Sequence, residues 1–160
     1  MIFPLKNINK FLPNIGSPAD FGYQRSFYYH SGIDLYCESG QEIIAIEDGK
    51  VVKIDNFTGS NAIPPSPWWN NTFSILIEGL SGVLGYCEIL PHKHIYVGLK
   101  VMEAESLGII IPVLKRNKGN GTSMLHLEHY SHNTIEHVEW LIGKEKPINL
   151  INPREIISNL

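Results

Sequence analysis

Short apolar runs, separated by turns that contain glycine or proline, follow one another along most of the chain. Runs of this length at these intervals are typical of an all-β protein. The pattern predicts strands over 32–37, 42–46, 51–55, 73–78, 83–89, 107–114 and 124–130, and a strand–turn–strand unit over 95–101. Asp48-Gly49 predicts a tight hairpin turn between the second and third strands, because this dipeptide readily adopts the backbone that such turns require.

Helical character is limited to two segments near the C-terminal end. One covers 133–142, and the other begins at Pro153, where Asn152 is a candidate N-cap. Eight or more short strands against so little helix predict a single all-β domain, either a sandwich or a small barrel.

A long irregular loop is predicted over 56–72, because its closely spaced prolines are incompatible with regular structure. Long loops in compact domains are often functional. This loop carries Trp68 and Trp69, for which two interpretations stay open. The indole rings would either wall a substrate groove or cover the core beneath the loop.

Composition excludes several classes of protein. Hydrophobic residues make up 43% of the 160 residues, which is enough for a core and excludes predominant disorder. Thirteen Lys and Arg against 16 Asp and Glu give a net charge of -3, which argues against a general nucleic-acid binder. No apolar run reaches the length of a membrane-spanning helix, so no membrane span is expected.

The N-terminal residues and the cysteines bear on the compartment. The N-terminal residues lack a basic segment followed by an apolar run and a cleavage site. As given, the chain is therefore expected in the cytoplasm, with export by another route left open. Cys37 and Cys87 are too few for a zinc site of four thiolates, and we expect both to be reduced.

The sharpest chemical pattern is an H-S-G-I-D run that begins at His30, with a second histidine, His126, far downstream. Alternate side chains of a strand share a face, so His30 and Asp34 can approach one ion if a turn at Gly32 supplies the extra residue. His126 from another strand would complete a set of three nitrogen and oxygen ligands. Three ligands with a fourth position open to water are typical of a catalytic zinc site, although the His-x-x-x-Asp spacing alone is a weak signal.

A longer series of positions extends this pattern along the chain. It runs through His30-x-Gly32-Ile33-Asp34, Gly40-x-x-Ile43-x-Ala45-x-x-Asp48-Gly49-x-Val51, Asn71-Thr72, Gly82, Tyr86, Val97-Gly98-x-x-Val101, Leu107-Gly108 and Leu125-His126-Leu127-Glu128. In order and spacing the series resembles the lysostaphin-type (LytM-like) zinc peptidases, which cleave peptide cross-links, mostly of bacterial cell walls. The resemblance defines a LytM-like domain over 28–130, with an N-terminal extension over 1–27 and a C-terminal appended segment over 131–160.

This resemblance implies both a fold and a metal. The fold is all-β and is called a duplicated hybrid motif, or barrel-sandwich hybrid. The metal is one zinc ion, and the resemblance implies that His30, Asp34 and His126 are its ligands. It also implies a peptide or peptidoglycan-like substrate.

Two positions depart from the family pattern. The family carries a histidine two residues before the last ligand and another two residues after the tyrosine of the central strand, and both assist catalysis. Here these positions hold Met124 and Glu88. A thioether does not donate a hydrogen bond or transfer a proton, whereas a carboxylate can act as a general base. Glu88 would therefore be either the general base or a fourth metal ligand, which would close the site.

The surroundings of the last ligand add further candidates. Glu128 and Met124 share a strand face with His126, so both are expected to surround the metal ligands. Glu128 would either hold this histidine in place or be a buried carboxylate bonded to backbone. His132 and His137 are expected at the surface.

Three functions are consistent with these residues. The first is a zinc-dependent hydrolase, in which zinc-activated water attacks a peptide bond and Glu88 is the general base. The second is a catalytically silent relative that retains zinc and binds a peptide, glycan or protein partner. The third is a biotinyl- or lipoyl-type carrier with Lys50 at a hairpin tip, which leaves the histidines and Asp34 unexplained.

Overall fold

Eleven strands and one short helix form the regular structure of the residues described, 1–117, 119 and 121–160, in this computed structural model. The strands are β1 (Tyr28–Tyr29), β2 (Ile33–Tyr36), β3 (Glu42–Ile44), β4 (Gly49–Thr58), β5 (Thr72–Gly79), β6 (Gly82–Pro91), β7 (Lys100–Val101), β8 (Ser106–Ile110), β9 (Met124–Tyr130), β10 (Trp140–Leu141) and β11 (Leu150–Ile151). The helix, α1, covers Arg154–Ser158. The prediction of an all-β fold with little helix near the C-terminus is confirmed.

Nine of the strands form one antiparallel sheet, and its main path follows the order β11-β9-β6-β5-β4-β7. β2 pairs with β9, and β8 pairs with both β3 and β6. β1 and β10 form a separate two-stranded sheet. The long strands β4, β5, β6 and β9 therefore form a continuous surface on which the side chains discussed below stand.

Alternation along β9 separates an apolar face of this sheet from a polar one. Leu125 and Leu127 are fully buried and belong to the main core, together with residues of β2, β5 and β6. Full burial of such a side chain stabilises the fold by about 1.5–3 kcal/mol. Met124, His126 and Glu128 stand on the opposite face, because successive side chains of a strand point to opposite sides. The burial of the leucines thus fixes the direction of the polar residues.

A row of polar side chains crosses the sheet on that opposite face. The cross-strand partners are Asp34 with His126, His126 with Cys87, Cys87 with Ser74, and Ser74 with Asp55. Directly paired residues stand on the same face, with their Cβ atoms about 4.5–5.5 Å apart. These five residues, here called the polar row, are brought into line by the register of four strand pairs.

Strand β6 changes its neighbour at Glu88. Residues 83–87 pair with β9, whereas residues 89–91 pair with β8. The pairing with β5 shifts register at the same point, and Glu88 has a φ of 68°. A left-handed backbone is uncommon for a residue with a side chain, and bulges of this kind redirect a side chain.

Both terminal segments pack against the core of the sheet. Leu5 and Ile157 are buried members of the main core cluster. Arg154 of α1 donates from Nη2 to Oδ1 of Asp20 at 2.7 Å, which ties the helix to the N-terminal segment. No helix in the described part of the chain is long and apolar enough to cross a membrane. The domain boundaries after residues 27 and 130 stay predictions.

The hairpin predicted at Asp48-Gly49 is wrong. β3 pairs with β8, and β4 pairs with β5 and β7, so the two strands that flank this turn are not partners. Tertiary pairing therefore outweighs the local turn signal. Lys50 lies inside β4, opposite Glu78 and Lys100, and not at the hairpin tip that a carrier domain requires.

The helix predicted over 133–142 is also wrong. Asn133 has a φ of 65°, a conformation that does not occur inside a right-handed helix. Trp140 and Leu141 form β10 instead, by pairing with β1. The second predicted helix is present as α1.

Several bounds differ in detail from the prediction: the strand predicted over 107–114 ends at Ile110, and the loop predicted over 56–72 begins only after Thr58. Asn152 accepts a hydrogen bond from the backbone N–H of Arg154 at 3.0 Å, although the N-cap position itself is held by Pro153. Of the strand–turn–strand unit predicted over 95–101, only β7 is a strand. Turn hydrogen bonds from Ile95 to His92 and from Leu99 to Tyr96 shape the residues before it.

Tyr86→Phe is expected to lower the free energy of unfolding. The Tyr86 hydroxyl is buried and accepts a hydrogen bond from the backbone N–H of Ile46 at 2.9 Å. Its removal leaves a buried donor without a partner, which costs about 1–3 kcal/mol. Urea unfolding measures the change, with Tyr96→Phe as the control because the Tyr96 side chain is exposed. Equal stability of the two variants would contradict the assigned role of this hydrogen bond.

Candidate metal centre

His30, Asp34 and His126 bring three ligand atoms together. Oδ1 of Asp34 lies 2.8 Å from Nδ1 of His126 and 3.0 Å from Nε2 of His30. The two nitrogens are 3.1 Å apart, and all three side chains are buried. The fold therefore assembles the three residues that the sequence analysis selected as metal ligands.

Gly32 permits this close approach. A Cβ atom at this position would lie 2.4 Å from the backbone oxygen of Leu127 and 2.8 Å from the ring of His126. Both distances are well below van der Waals contact, so any side chain there would displace β9 or the imidazole. The contribution of Gly32 is thus the close packing of the His30 segment against the strand that carries His126.

Hydrogen bonds on the outer side of each imidazole assign the tautomers. Nδ1 of His30 lies 2.9 Å from the backbone oxygen of Asp20, which only accepts, so this nitrogen donates. Nε2 of His126 lies 3.3 Å from Oε1 of Glu128 and donates to that carboxylate. With both protons directed outward, the two inner nitrogens and Asp34 Oδ1 present three lone pairs to one another. Such a group requires a cation, either a metal ion or an additional proton.

The pKa shifts of Asp34, His126 and His30 also indicate that this group of atoms is stabilised by an added positive charge. Burial raises the pKa of Asp34, but the close imidazoles of His126 and His30 outweigh this effect and hold the pKa below its ordinary value. Burial lowers the pKa of His126, yet hydrogen bonds to Asp34 and Glu128 raise it to about 10. The pKa of His30 is lowered, chiefly by burial. Without a metal, the additional proton therefore resides on His126.

Arg25 compensates the second oxygen of Asp34. Its Nη2 donates to Oδ2 of Asp34 at 3.0 Å and to the backbone oxygen of Pro18 at 3.1 Å. The guanidinium carbon also lies 5.9 Å from the centre of the Tyr28 ring. Only Oδ1 of Asp34 is therefore left to face the two histidines. The sequence analysis missed Arg25, because it lies outside the motif in a segment without a recognisable pattern.

Glu128 is held by four side-chain donors. Its Oε1 accepts from Oγ of Ser31 at 2.9 Å and from Nε2 of His126 at 3.3 Å. Its Oε2 accepts from Nδ1 of His137 at 2.6 Å and from Sγ of Cys87 at 3.7 Å. Burial opposes ionisation, but the bonds from His126 and His137 hold the pKa of Glu128 well below its ordinary value. Glu128 is thus an ionised carboxylate whose contacts are with side chains, one of them a candidate ligand.

His137 belongs to this site, and the expectation that it lies at the surface is wrong. Its side chain is 21% exposed, whereas that of His132 is 56% exposed. Nε2 of His137 lies 2.8 Å from Oγ of Ser74, and its ring centre lies 5.0 Å from that of Phe57. Nothing in the local sequence distinguishes the two histidines of this segment, so only the fold separates them.

Glu88 lies beside the three candidate ligands. Its Oε2 is buried and has no hydrogen-bond partner among the described residues. Burial and the nearby negative charge of Asp34 raise the pKa of Glu88 to about 8. In the described part of the chain, the cluster of atoms within 4.8 Å of one another includes the three ligand residues and does not include Glu88. This arrangement favours a free carboxylate over a fourth ligand.

A cavity of about 840 Å³ opens beside these residues, and its lining includes the three candidate ligands. Glu88 and Met124 line it as well, as do Trp68 and Trp69 of the long loop. Trp68 is 64% exposed, so it does not serve as a cover for the core. The two indole rings meet edge to face, with centres 6.2 Å apart. Of the two interpretations of these tryptophans, a place in the cavity wall agrees with the geometry.

Comparisons with known proteins bear on the architecture. The sequence matches no family model, and it matches none of the curated proteins. Among solved structures, the catalytic domain of the antimicrobial peptidase lysostaphin from Staphylococcus simulans matches with a TM-score of 0.56 and 16% identity, over 89% of this chain and 90% of that chain. A Pseudomonas aeruginosa protein assigned to peptidase M23 matches with a TM-score of 0.52 and 18% identity, over 99% of this chain and 54% of that chain. The chain has the fold of the lysostaphin-type peptidases.

This finding confirms the resemblance at the level of the fold. Csd3 from Helicobacter pylori also matches, with a TM-score of 0.50 and 17% identity, over 88% of this chain and 36% of that chain. The chain spans about half the length of the Pseudomonas aeruginosa protein, 54% of it, but 90% of the lysostaphin catalytic domain. The lysostaphin-type fold thus accounts for the sheet, while the chemistry of the site is argued from its own contacts.

His126→Ala is expected to remove metal binding. The substitution deletes one of the three converging ligand atoms, and a pair of ligands holds an ion far more weakly than three. Elemental analysis after incubation with Zn²⁺ and dialysis measures the ion content, with about one ion expected per wild-type chain. His94→Ala is the matched control, since His94 is exposed and does not line the cavity. Equal zinc in His126→Ala and wild type would contradict the assignment.

Proposed function

We propose that the chain is a zinc-dependent hydrolase that cleaves a peptide bond, with Glu88 as its general base. The observation that carries this proposal is the convergence of three lone pairs, from His30, Asp34 and His126, beside a cavity of about 840 Å³. A bound zinc ion would lower the pKa of a water molecule and polarise the scissile carbonyl. Proton transfer and substrate binding are assigned to residues of this chain.

The donor set supports zinc as the metal. Zinc binds imidazole nitrogens and carboxylate oxygens, and this site offers two of the first and one of the second. Magnesium and calcium, in contrast, prefer oxygen ligands to imidazole. Each imidazole is already oriented by an acceptor on its outer nitrogen, the backbone oxygen of Asp20 for His30 and Glu128 for His126. Outer hydrogen bonds of this kind fix the tautomer that binds a metal. Three ligands leave one position for substrate or water.

Glu88 is suited to move the proton. Its Oε2 is free of hydrogen bonds in the described residues, and the carboxylate lines the same cavity as the ligands. We propose that it accepts a proton from the attacking water and returns it to the leaving nitrogen. Met124, on the same cavity, has only a thioether and donates nothing to the developing oxyanion. The reaction is therefore expected to be slow compared with that of an enzyme that has a donor at this position.

The cavity supports a peptide or peptidoglycan-like substrate. Its volume falls within the range of about 300–1,000 Å³ that is usual for ligand sites. Five aromatic residues line the cavity and provide apolar surface for contact with a substrate: Tyr28, Tyr29, Trp68, Trp69 and Trp140. Lysostaphin, which shares the fold, is described as an antimicrobial peptidase.

A second candidate function is a silent relative that retains zinc and binds a peptide, glycan or protein partner. The observation in its favour is the pair of substitutions, Met124 and Glu88, at the positions that the resemblance assigns to assisting histidines. In this case the cavity would hold a partner without cleaving it. The two functions share the metal and differ in the role of Glu88.

Glu88→Gln is expected to lower the rate of hydrolysis by about 10²–10⁴-fold while zinc stays bound. The amide keeps the size of the side chain but has no lone pair basic enough to take a proton. The assay measures new amino groups released from purified peptidoglycan and from a mixture of short peptides, alongside zinc content. Glu139→Gln is the control, because Glu139 is an exposed carboxylate that lines the same cavity.

Three outcomes would change the assignment. Full activity in Glu88→Gln would exclude Glu88 as the base. Loss of zinc in Glu88→Gln would make Glu88 a ligand. Wild type that holds zinc but releases no amino groups from any substrate would favour the silent relative.

Trp68→Ala is expected to raise the KM by about fivefold or more with less change in kcat, since truncation of an aromatic contact commonly costs at least 1 kcal/mol of binding. Trp68 stands in the cavity wall and does not belong to the ligand cluster. Tyr96→Ala is the control, because Tyr96 is an exposed aromatic residue outside the cavity. An unchanged KM on the substrate that is cleaved would exclude this tryptophan from the groove.

A further inference from the structure

His137 reaches the candidate metal centre from outside the series of motif positions, 30–128, that carries the sequence resemblance. It lies in the segment 131–160, and its Nδ1 lies 2.6 Å from Oε2 of Glu128. Oε1 of the same carboxylate lies 3.3 Å from Nε2 of His126. A chain of two hydrogen bonds therefore connects His137 to a candidate metal ligand.

The position of His137 is fixed from several directions. Ser74 of the polar row contacts its Nε2 at 2.8 Å. The ring of Phe57 lies 5.0 Å from the His137 ring and 5.7 Å from the His126 ring, so one aromatic side chain packs against both imidazoles. The backbone N–H of Val138 donates to the hydroxyl of Tyr130 at 3.4 Å. These contacts make His137 a rigid part of the sheet surface.

The hydrogen bond between His137 and Glu128 restricts the orientation of the Glu128 carboxylate. Oε1 is engaged by Ser31 and His126. Among the described residues, Oε2 also accepts from the weak thiol donor of Cys87, at 3.7 Å. Without His137, the buried Oε2 would lose its shortest hydrogen bond. The carboxylate could then rotate, and the outer hydrogen bond that holds His126 would loosen.

We propose that His137 is a positioning residue of the metal centre, which acts through Glu128 to keep Nδ1 of His126 directed at the metal. The proposal rests on the proposed function only in taking zinc as the metal. The segment 131–160 would then contribute to metal binding, in addition to covering the core. Outer hydrogen-bond partners of metal ligands typically contribute 10–100-fold to metal affinity, which sets the size of the expected effect.

A second metal ion is the competing interpretation of this cluster, because Cys87, Glu128 and His137 also have ligand atoms within 4.8 Å of one another. The hydrogen-bonding pattern favours the positioning role. Oε2 of Glu128 only accepts, so Nδ1 of His137 carries the proton between them. A donor therefore meets an acceptor here, whereas His30, Asp34 and His126 present three acceptors to one another.

The test is a zinc affinity measurement on the full chain. Zn²⁺ is titrated in competition with a chelator for wild type, His137→Phe, His137→Asn and His132→Phe. Phenylalanine keeps an aromatic ring beside Phe57 without the donor, and asparagine restores an N–H at the position of Nδ1. His132 is the matched control, an exposed histidine of the same segment. Urea unfolding of the metal-free variants is recorded in parallel.

The expected result is a Kd for zinc raised about 10–100-fold in His137→Phe, a Kd close to wild type in His132→Phe, and recovery of most of the affinity in His137→Asn. Equal Kd values for His137→Phe and wild type would overturn the proposal. So would two zinc ions per wild-type chain, one of them lost in Cys87→Ala. A merely structural role predicts lower stability of the metal-free His137→Phe with an unchanged Kd, and that result overturns the proposal too.

A measurement on wild type keeps the proposal testable should His137→Phe fail to fold. In the zinc-loaded chain labelled with ¹⁵N-histidine, nitrogen–proton couplings are expected to give a proton on Nε2 of His126 and on Nδ1 of His137. A proton on Nε2 alone of His137 would overturn the proposal. Hydrolysis is read separately, so zinc affinity that depends on His137 without any cleavage would support this inference while contradicting the hydrolase.

Discussion

The burial of carboxylates on one face of the sheet is the constraint on which the site depends. Asp34 and Glu128 have little exposed surface, and Oε2 of Glu88 is buried as well. An ionised carboxylate taken out of water costs several kcal/mol unless hydrogen bonds or opposite charges compensate it. Arg25 and two imidazoles compensate Asp34, and four donors compensate Glu128. The positions of Arg25, His126 and His137 follow from this requirement.

The compensating groups come from both ends of the chain as well as from the sheet. Arg25 and the backbone oxygen of Asp20 precede β1, whereas His137 follows β9. The series of motif positions over 30–128 contains the candidate ligands, but it lacks several groups that neutralise or orient them. Since loss of an outer contact of a metal ligand typically costs about 10–100-fold in metal affinity, the candidate site depends on residues from both sides of the motif series. The pairing of β1 with β10 joins the first residues of the 28–130 stretch to the segment 131–160.

Sequence reasoning reached most of the strands, because strand signals are local, and the resemblance to the peptidases selected the candidate ligands. Alternation located β9, and an ordered series of motif positions led to His30, Asp34 and His126. The polar row could not be foreseen, since it depends on the register of strands distant in sequence. Arg25 and His137 carry no local signal, so only long-range packing assigns them. The failed hairpin at Asp48-Gly49 has the same cause, because the partners of both strands lie elsewhere in the chain.

The conformation of Glu88 bears on the choice between hydrolase and silent relative. A left-handed φ costs a residue with a side chain about 1–3 kcal/mol, and such strain is found mainly at functional sites. The buried Oε2 of Glu88, which has no hydrogen-bond partner among the described residues, adds a further cost. A partner-binding surface gains nothing from this arrangement, because an apolar or hydrogen-bonded side chain would serve it at lower cost. A general base, in contrast, requires a lone pair that no structural hydrogen bond occupies. The left-handed backbone at Glu88, where β6 changes neighbours, therefore supports the proposed role in proton transfer over binding alone.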